Sequence, residues 1–278
     1  MLLAEAFHAA LQGSVPPSLR QQAASRFILA SITDTDGRPV VDVGPDDFVI
    51  REDGQLRDVL TVRLADYPIA IVIDNDRWAD RDSEAIRRAT RRFIERIGHR
   101  PIAVASTVPP RLVATFSEDR ERVLERVDKL RKGRSTDGLL QALATAARLV
   151  QENGAPFSAI VVVTANLGGA VARESLNPVI ESGATVHVVL QQRIAGGASH
   201  TQQQTGEALI SLVDETHGQL TTIYSADSYQ VALDRQANQL ATELMVEYVV
   251  PDASIKGVRP QLGIRLSGMK ASFWGVSR

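Results

Sequence analysis

Residues 68–76 read Pro68-Ile69-Ala70-Ile71-Val72-Ile73-Asp74-Asn75-Asp76. Five consecutive apolar residues without polar alternation describe a strand covered on both faces, as in a parallel sheet flanked by helices. The acidic turn that follows lies where such a sheet binds ligands, beyond the carboxyl ends of its strands. Working outward, Ile160-Val161-Val162-Val163 repeats the texture, and Thr185–Leu190 and Gln219–Ile223 read as further strands. Helical stretches separate them. One runs from about Asp82 to Ile97, with Ile86, Phe93 and Ile97 on one stripe. A second is opened by Ser117 as N-cap, with Glu118 and Asp119 in its first turn. Others span about 137–151 (stopping near Gly154 and Pro156), 172–181, 206–216 and 228–243. Ile102–Thr107 and Leu112–Phe116 form a hairpin across Pro109-Pro110. Repeated β/α alternation predicts an α/β fold: a doubly wound, mostly parallel sheet with helices on both faces.

The flanks have a different texture. Phe27–Thr33, Phe48–Arg51 and Val59–Leu64 alternate like strands, broken by Asp36-Gly37 and Asp53-Gly54. Met245–Val250 and Gln261–Leu266 are strand-like at the other end. Neither flank is large enough to be stable alone, so the two are expected to pair as a small antiparallel β module. The expected organisation is a helical or frayed leader over 1–26, the β module from 27–66 and 244–278, and the α/β domain over 67–243. A Gly- and Gln-rich loop, Gln191–Thr205, is long for its place and is read either as a recognition loop or as plain disorder.

Composition narrows the function classes. Hydrophobic residues make up 44% and charged residues 23% of 278, enough for a real core. No stretch of about 20 residues is apolar throughout, so no membrane-spanning helix is expected. The net charge of −2 gives no global attraction to nucleic acid. There is no cysteine, which removes disulfides, thiolate metal sites and cysteine nucleophiles. The first residues carry Glu5 and His8 within their apolar run and no basic stretch before it, so no signal peptide is evident.

Motifs for familiar chemistries are missing from the sequence. The turn after Ile73 holds no glycine, so neither a dinucleotide fingerprint nor a phosphate-cradling loop is present there. No Gly-x-Ser-x-Gly elbow occurs, and the five histidines form no His-Glu-x-x-His pair. Asp74 and Asp76 remain. Two carboxylates plus a hydroxyl suit a hard divalent cation such as Mg²⁺, and a turn acid needs no metal at all. Eight arginines between Arg77 and Arg100, interleaved with acids, read as a solvated helix face in preference to an anion-binding patch.

The order of these segments resembles a von Willebrand factor type A domain, in the bacterial form that wraps the fold in β segments. The residues carrying the likeness are 34–40 (DTDGRPV), 46–54 (DDFVIREDG), 68–74 (PIAIVID) and 135–143 (STDGLLQAL). The resemblance implies a metal-ion-dependent adhesion site with Asp-x-Ser-x-Ser after the first central strand, a middle-loop Thr and a later Asp. Asp74 and Thr136 match; Asp76 and Trp78 replace the two serines, and Ala165 stands at the final acidic position. Asp74, Asp76 and Thr136 are thus the candidate metal ligands, in an incomplete set, with Mg²⁺ or another divalent ion the only cofactor implied. The expected function is a non-enzymatic protein-binding module. Its partner-binding edge would comprise Asp74, Asp76, Trp78, Thr136, Ala165 and Asn166, with Trp78 as anchor. The partner is another protein, not nucleic acid, and the resemblance implies a secreted, periplasmic or cell-surface setting. Alternatives are a metal-assisted hydrolase using Asp74 and Asp76, or a structural subunit whose site has decayed.

Overall fold

A computed structural model describes residues 24–76, 80–134, 137–164, 171–192, 200–250 and 260–277. Strand β5 (Ile69–Ile73) lies inside a six-stranded sheet, paired in parallel with β6 (Ile102–Thr107) and β8 (Ala159–Thr164). Beyond β8 come β9 (Thr185–Gln191) and β10 (Leu220–Ile223), both parallel; β7 (Pro110–Ser117) closes the other side antiparallel to β6. Its order is β10-β9-β8-β5-β6-β7.

Alternation along β5 explains its unbroken apolar run. Ile69, Ile71 and Ile73 pack against α1 (Asp80–Arg96), α2 (Arg120–Asp128) and α6 (Ser228–Ala241). Ala70 and Val72 face α3 (Gly138–Asn153), α4 (Asn177–Glu181) and α5 (His200–Glu215). Each isoleucine, at most 1% exposed, contributes roughly 1.5–3 kcal/mol by leaving water. Helix α3 ends where Gly154 takes a left-handed φ of 69°.

The flanks pair as expected, though in two sheets. A four-stranded antiparallel sheet has the order β13-β1-β11-β4, from β1 (Ala24–Thr33), β4 (Val59–Leu64), β11 (Leu244–Val250) and β13 (Lys270–Val276). A three-stranded sheet, β12-β2-β3, joins β2 (Phe48–Glu52), β3 (Gln55–Arg57) and β12 (Gln261–Ile264). Ile28, Ala30 and Ile32 meet Phe48, Ile50 and Tyr248 between these sheets, while Leu29 and Met245 turn the other way into the α/β core. One face of the four-stranded sheet is therefore glued to each partner. A buried carboxylate, Glu52, reinforces the sandwich by accepting from Arg26 Nη1 at 2.7 Å and from Tyr248 Oη at 3.3 Å.

Several expected boundaries shift. β1 begins at Ala24, three residues inside the expected leader, whose first 23 residues lie outside the described ones. The N-cap of α2 is Asp119, not Ser117: Asp119 Oδ1 accepts from Arg122 N at 3.1 Å, and Ser117 Oγ instead accepts from Asp119 N. The Gln-rich stretch is not all loop. α5 starts at His200, because Gln202, Gln203 and Gln204 have good helix propensity and extend a helix whose apolar stripe begins only at Ala208.

Where the chain crosses from the β sheets into the α/β layer, three charged or polar residues are buried together. Tyr67 precedes β5, Arg100 precedes β6 and Glu243 precedes β11; they are 4%, 2% and 1% exposed. Tyr67 Oη donates to Glu243 Oε2, Arg100 donates to the Leu240 carbonyl, and the guanidinium stacks 4.4 Å from the Tyr67 ring centre. Burial pushes Glu243 up to about 7, although the Tyr67 hydroxyl and the Arg100 charge pull it down.

Candidate functional site

Asp74 leaves β5 at its carboxyl end. Its N–H still donates to Val163 O of β8 at 2.9 Å, so the sheet fixes the residue before its side chain makes any contact. The last residues of the two neighbouring strands then close on the carboxylate. Thr107 Oγ1 donates to Oδ1 at 2.8 Å, Thr164 Oγ1 donates to Oδ2 at 2.6 Å, and Asp76 N–H donates to Oδ1 at 3.2 Å. Asp74 is 3% exposed, and burial raises its pKa to about 6 against the pull of these donors.

Asn75 is buried completely and uses its whole amide. Its Oδ1 accepts from the N–H groups of Thr107 and Val108 at 3.0 and 2.8 Å. Its Nδ2 donates to the carbonyls of Val108 and Arg131, at 2.6 Å each. The Asn75 carbonyl in turn accepts from Gly133 N at 3.2 Å, and Asp76 forms an isolated parallel bridge with Gly133. A side chain at 133 would displace Val108, since a Cβ there would stand 2.2 Å from Val108 Cγ1. Tyr229 of α6 donates to the Thr164 carbonyl at 2.9 Å, rooting that helix at the same edge. The ends of β5, β6 and β8 and the segment before α3 are thus clamped into one platform.

The structure brings Asp74 and Asp76 together. Trp78, Thr136, Ala165 and Asn166 lie outside the described residues, as do 193–199 of the expected recognition loop. The chain reaches Trp78 from Asp76, Thr136 from Gly133 and Ala165 from Thr164, and all three departure points belong to the clamp. Sequence reasoning missed Asn75, Thr107 and Gly133. The available signal was a glycine, an amide and a hydroxyl at strand ends; the contacts themselves join residues 32 and 56 positions apart.

A resident divalent cation needs several free oxygen ligands. Among the described residues no three His, Cys, Asp or Glu side chains come together to hold one. Both Asp74 oxygens receive hydroxyl or amide hydrogens, and Trp78 and Ala165 bring no side-chain oxygen to positions where the resemblance expects one. Among the described residues the oxygen set for such an ion is incomplete. His187, buried in β9, is pushed down to about 4 by burial and stays neutral.

The arginine stripe on α1 is structural. Arg91 pairs with Asp128 at 2.5 Å, Arg92 with Asp234 at 2.8 Å, and Arg96 donates to Asn238 at 2.5 Å, while Arg87 reaches the Leu130 carbonyl at 3.1 Å. These side chains keep much of their exposure, as expected of a solvated face, and also tie α1 to α6 and to α2 with its trailing turn. As half-exposed pairs they contribute about 0–1 kcal/mol each.

No family model matches the chain, and no curated protein does. Solved structures do. A von Willebrand factor type A protein from Catenulispora acidiphila aligns over 90% of this chain and 72% of its own, at 14% identity and a TM-score of 0.54. The von Willebrand factor domain of the type V pili tip protein Mfa5 from Porphyromonas gingivalis aligns over 64% and 96%, at 11% identity and 0.52. The pilus adhesin SpaC from Lactobacillus rhamnosus GG aligns over 83% and 47%, at 10% identity and 0.52.

Proposed function

On the premise that this chain has a von Willebrand factor type A fold, we propose that it is a non-enzymatic, adhesion-type module. It binds another protein through the carboxyl-terminal edge of its central sheet. The observation carrying this reading is the Asn75 clamp, which ties the ends of β5 and β6 and the segment before α3 together with every hydrogen-bonding atom of one buried amide in use, while Asp74 beside it holds the end of β8 through Thr164. A rigid base under variable loops is the general arrangement of a recognition surface. In this reading Asp74 and Asp76 form the base. Trp78 is the anchor, since tryptophan is prominent among interface hot spots, and Thr136, Ala165 and Asn166 complete the contact.

The contact is proposed to be independent of metal, because the donors that hold Asp74 leave it buried among hydrogens. The same burial weighs against a hydrolase, which needs Asp74 open to substrate. The pilus settings of two structurally similar proteins support a secreted, periplasmic or cell-surface location.

Affinity capture from the source organism tests the edge. Wild-type chain is expected to recover a partner, in EDTA as well as in Mg²⁺, that Trp78→Ala recovers at least about tenfold less, the loss typical of a hot-spot anchor. Equal recovery by both would overturn the edge. In calorimetry with Mg²⁺, a binding heat abolished by Asp74→Ala would overturn metal independence.

A further inference from the structure

β7 closes the central sheet, and among the described residues no strand pairs with its outer side. It is eight residues long, against four for β10 at the opposite edge. A groove of about 310 Å³ follows it, lined by every residue from Leu112 to Ser117 and by Arg122, Val123 and Arg126 of α2. Successive strand residues point to opposite faces, so an unbroken run of them lines a groove that follows the backbone edge. The groove therefore offers a ladder of peptide groups at strand spacing, which an extended chain matches.

Its charge is distinctive. Arg122 and Arg126 stand four residues apart on one face of α2, both exposed, and Arg111 is exposed near the head of β7. Unlike Arg91, Arg92 and Arg96 of α1, none of these three pairs with an acidic side chain among the described residues. A guanidinium fork fits a carboxylate with two parallel hydrogen bonds.

We propose that the outer edge of β7 docks an extended acidic segment of a partner protein. The segment adds as a further strand to the sheet and sets carboxylates against Arg122 and Arg126. Docking here does not depend on the carboxyl-terminal edge: β7 starts beside that edge, with Pro110 opposite Thr107, and runs away from it.

Three synthetic decapeptides test the docking on the full chain: alternating valine and glutamate, the same with glutamine for glutamate, and the acidic one N-methylated at every residue, which leaves neither edge able to donate. The acidic peptide is expected to slow amide exchange across Leu112–Phe116. It should bind at least about tenfold more tightly than the glutamine form, as charge-assisted contacts require. The double variant Arg122→Glu, Arg126→Glu should lose that preference with unchanged thermal unfolding, and the N-methylated peptide should not bind, because it cannot pair with the edge. Equal binding of the N-methylated form, protection confined to other segments, or no binding of the acidic peptide at millimolar concentration would overturn the proposal. Protection of Leu112–Phe116 by single-stranded decathymidylate but not by the peptide would overturn it in favour of a nucleic-acid surface.

Discussion

The two ends of β5 solve one problem in opposite ways. Each buries a carboxylate, and in each burial raises its pKa, to about 7 for Glu243 and about 6 for Asp74. At the amino end the remedy is ionic and aromatic: Arg100 lies over Tyr67, and Tyr67 donates to Glu243. Among the described residues one guanidinium nitrogen, Arg100 Nη1, has no hydrogen-bond partner. At the carboxyl end the remedy is neutral, with hydroxyls of Thr107 and Thr164 on the acid and the Asn75 amide fully used beside it. The amino end joins two structural layers, where a charge cluster fixes the junction between them. The carboxyl end has to hold loops in register, which short directional hydrogen bonds do better than charge.

The comparison breaks most visibly at Asn75. Asn75→Ala leaves two backbone N–H groups and two carbonyls without their partner, each costing about 1–3 kcal/mol when buried and not fully additive. A loss of about 4 kcal/mol in urea unfolding at pH 7 is expected, and a loss below about 1 kcal/mol would show that the clamp does not hold the loops. At the other end, Arg100→Met is expected to cost about 3 kcal/mol at pH 8, where Glu243 is left as an uncompensated buried charge. Because the folded-state pKa of Glu243 is raised, the native state takes up a proton as pH falls through 7. The cost should therefore shrink at pH 5. A cost equal at both pH values would remove Glu243 from the cluster's energetics.

How much of this was legible follows from the range of each interaction. β5 and β8 declared themselves because a doubly covered strand is apolar at every position, a purely local signal. The pairing of the two flanks followed from neither being able to stand alone. β13 was overlooked, since Lys270–Val276 reads KASFWGV, half-exposed and interrupted by Gly275, with no clean alternation. Asp74 and Asp76 were legible from their place after an apolar run. Their partners were not, because nothing local marks Thr107 or Gly133 as the far side of a clamp. Tyr67 and Glu243 lie 176 residues apart, and Arg100 bonds a carbonyl 140 residues away, so that junction exists only once both crossings have been folded.

The smallest effect is the most discriminating. Between pH 3.8 and about 6 the native state holds the Asp74 proton more tightly than the unfolded chain does, so stability falls as pH rises through that window. Asp74→Asn removes the charge and keeps the shape. Its oxygen would replace Oδ1, accepting from Thr107 and Asp76 N, and its amide would donate toward the Thr164 hydroxyl. The variant should then gain about 1–2 kcal/mol over wild type at pH 8, part of what two pKa units represent, and gain nothing at pH 3.5, where the acid is protonated in both states. Thermal unfolding at the two pH values measures this. A variant less stable than wild type at pH 8 would mean that the native site compensates the carboxylate charge with a cation. That outcome would make the carboxyl end ionic like the amino end, and the contrast between the two ends would collapse.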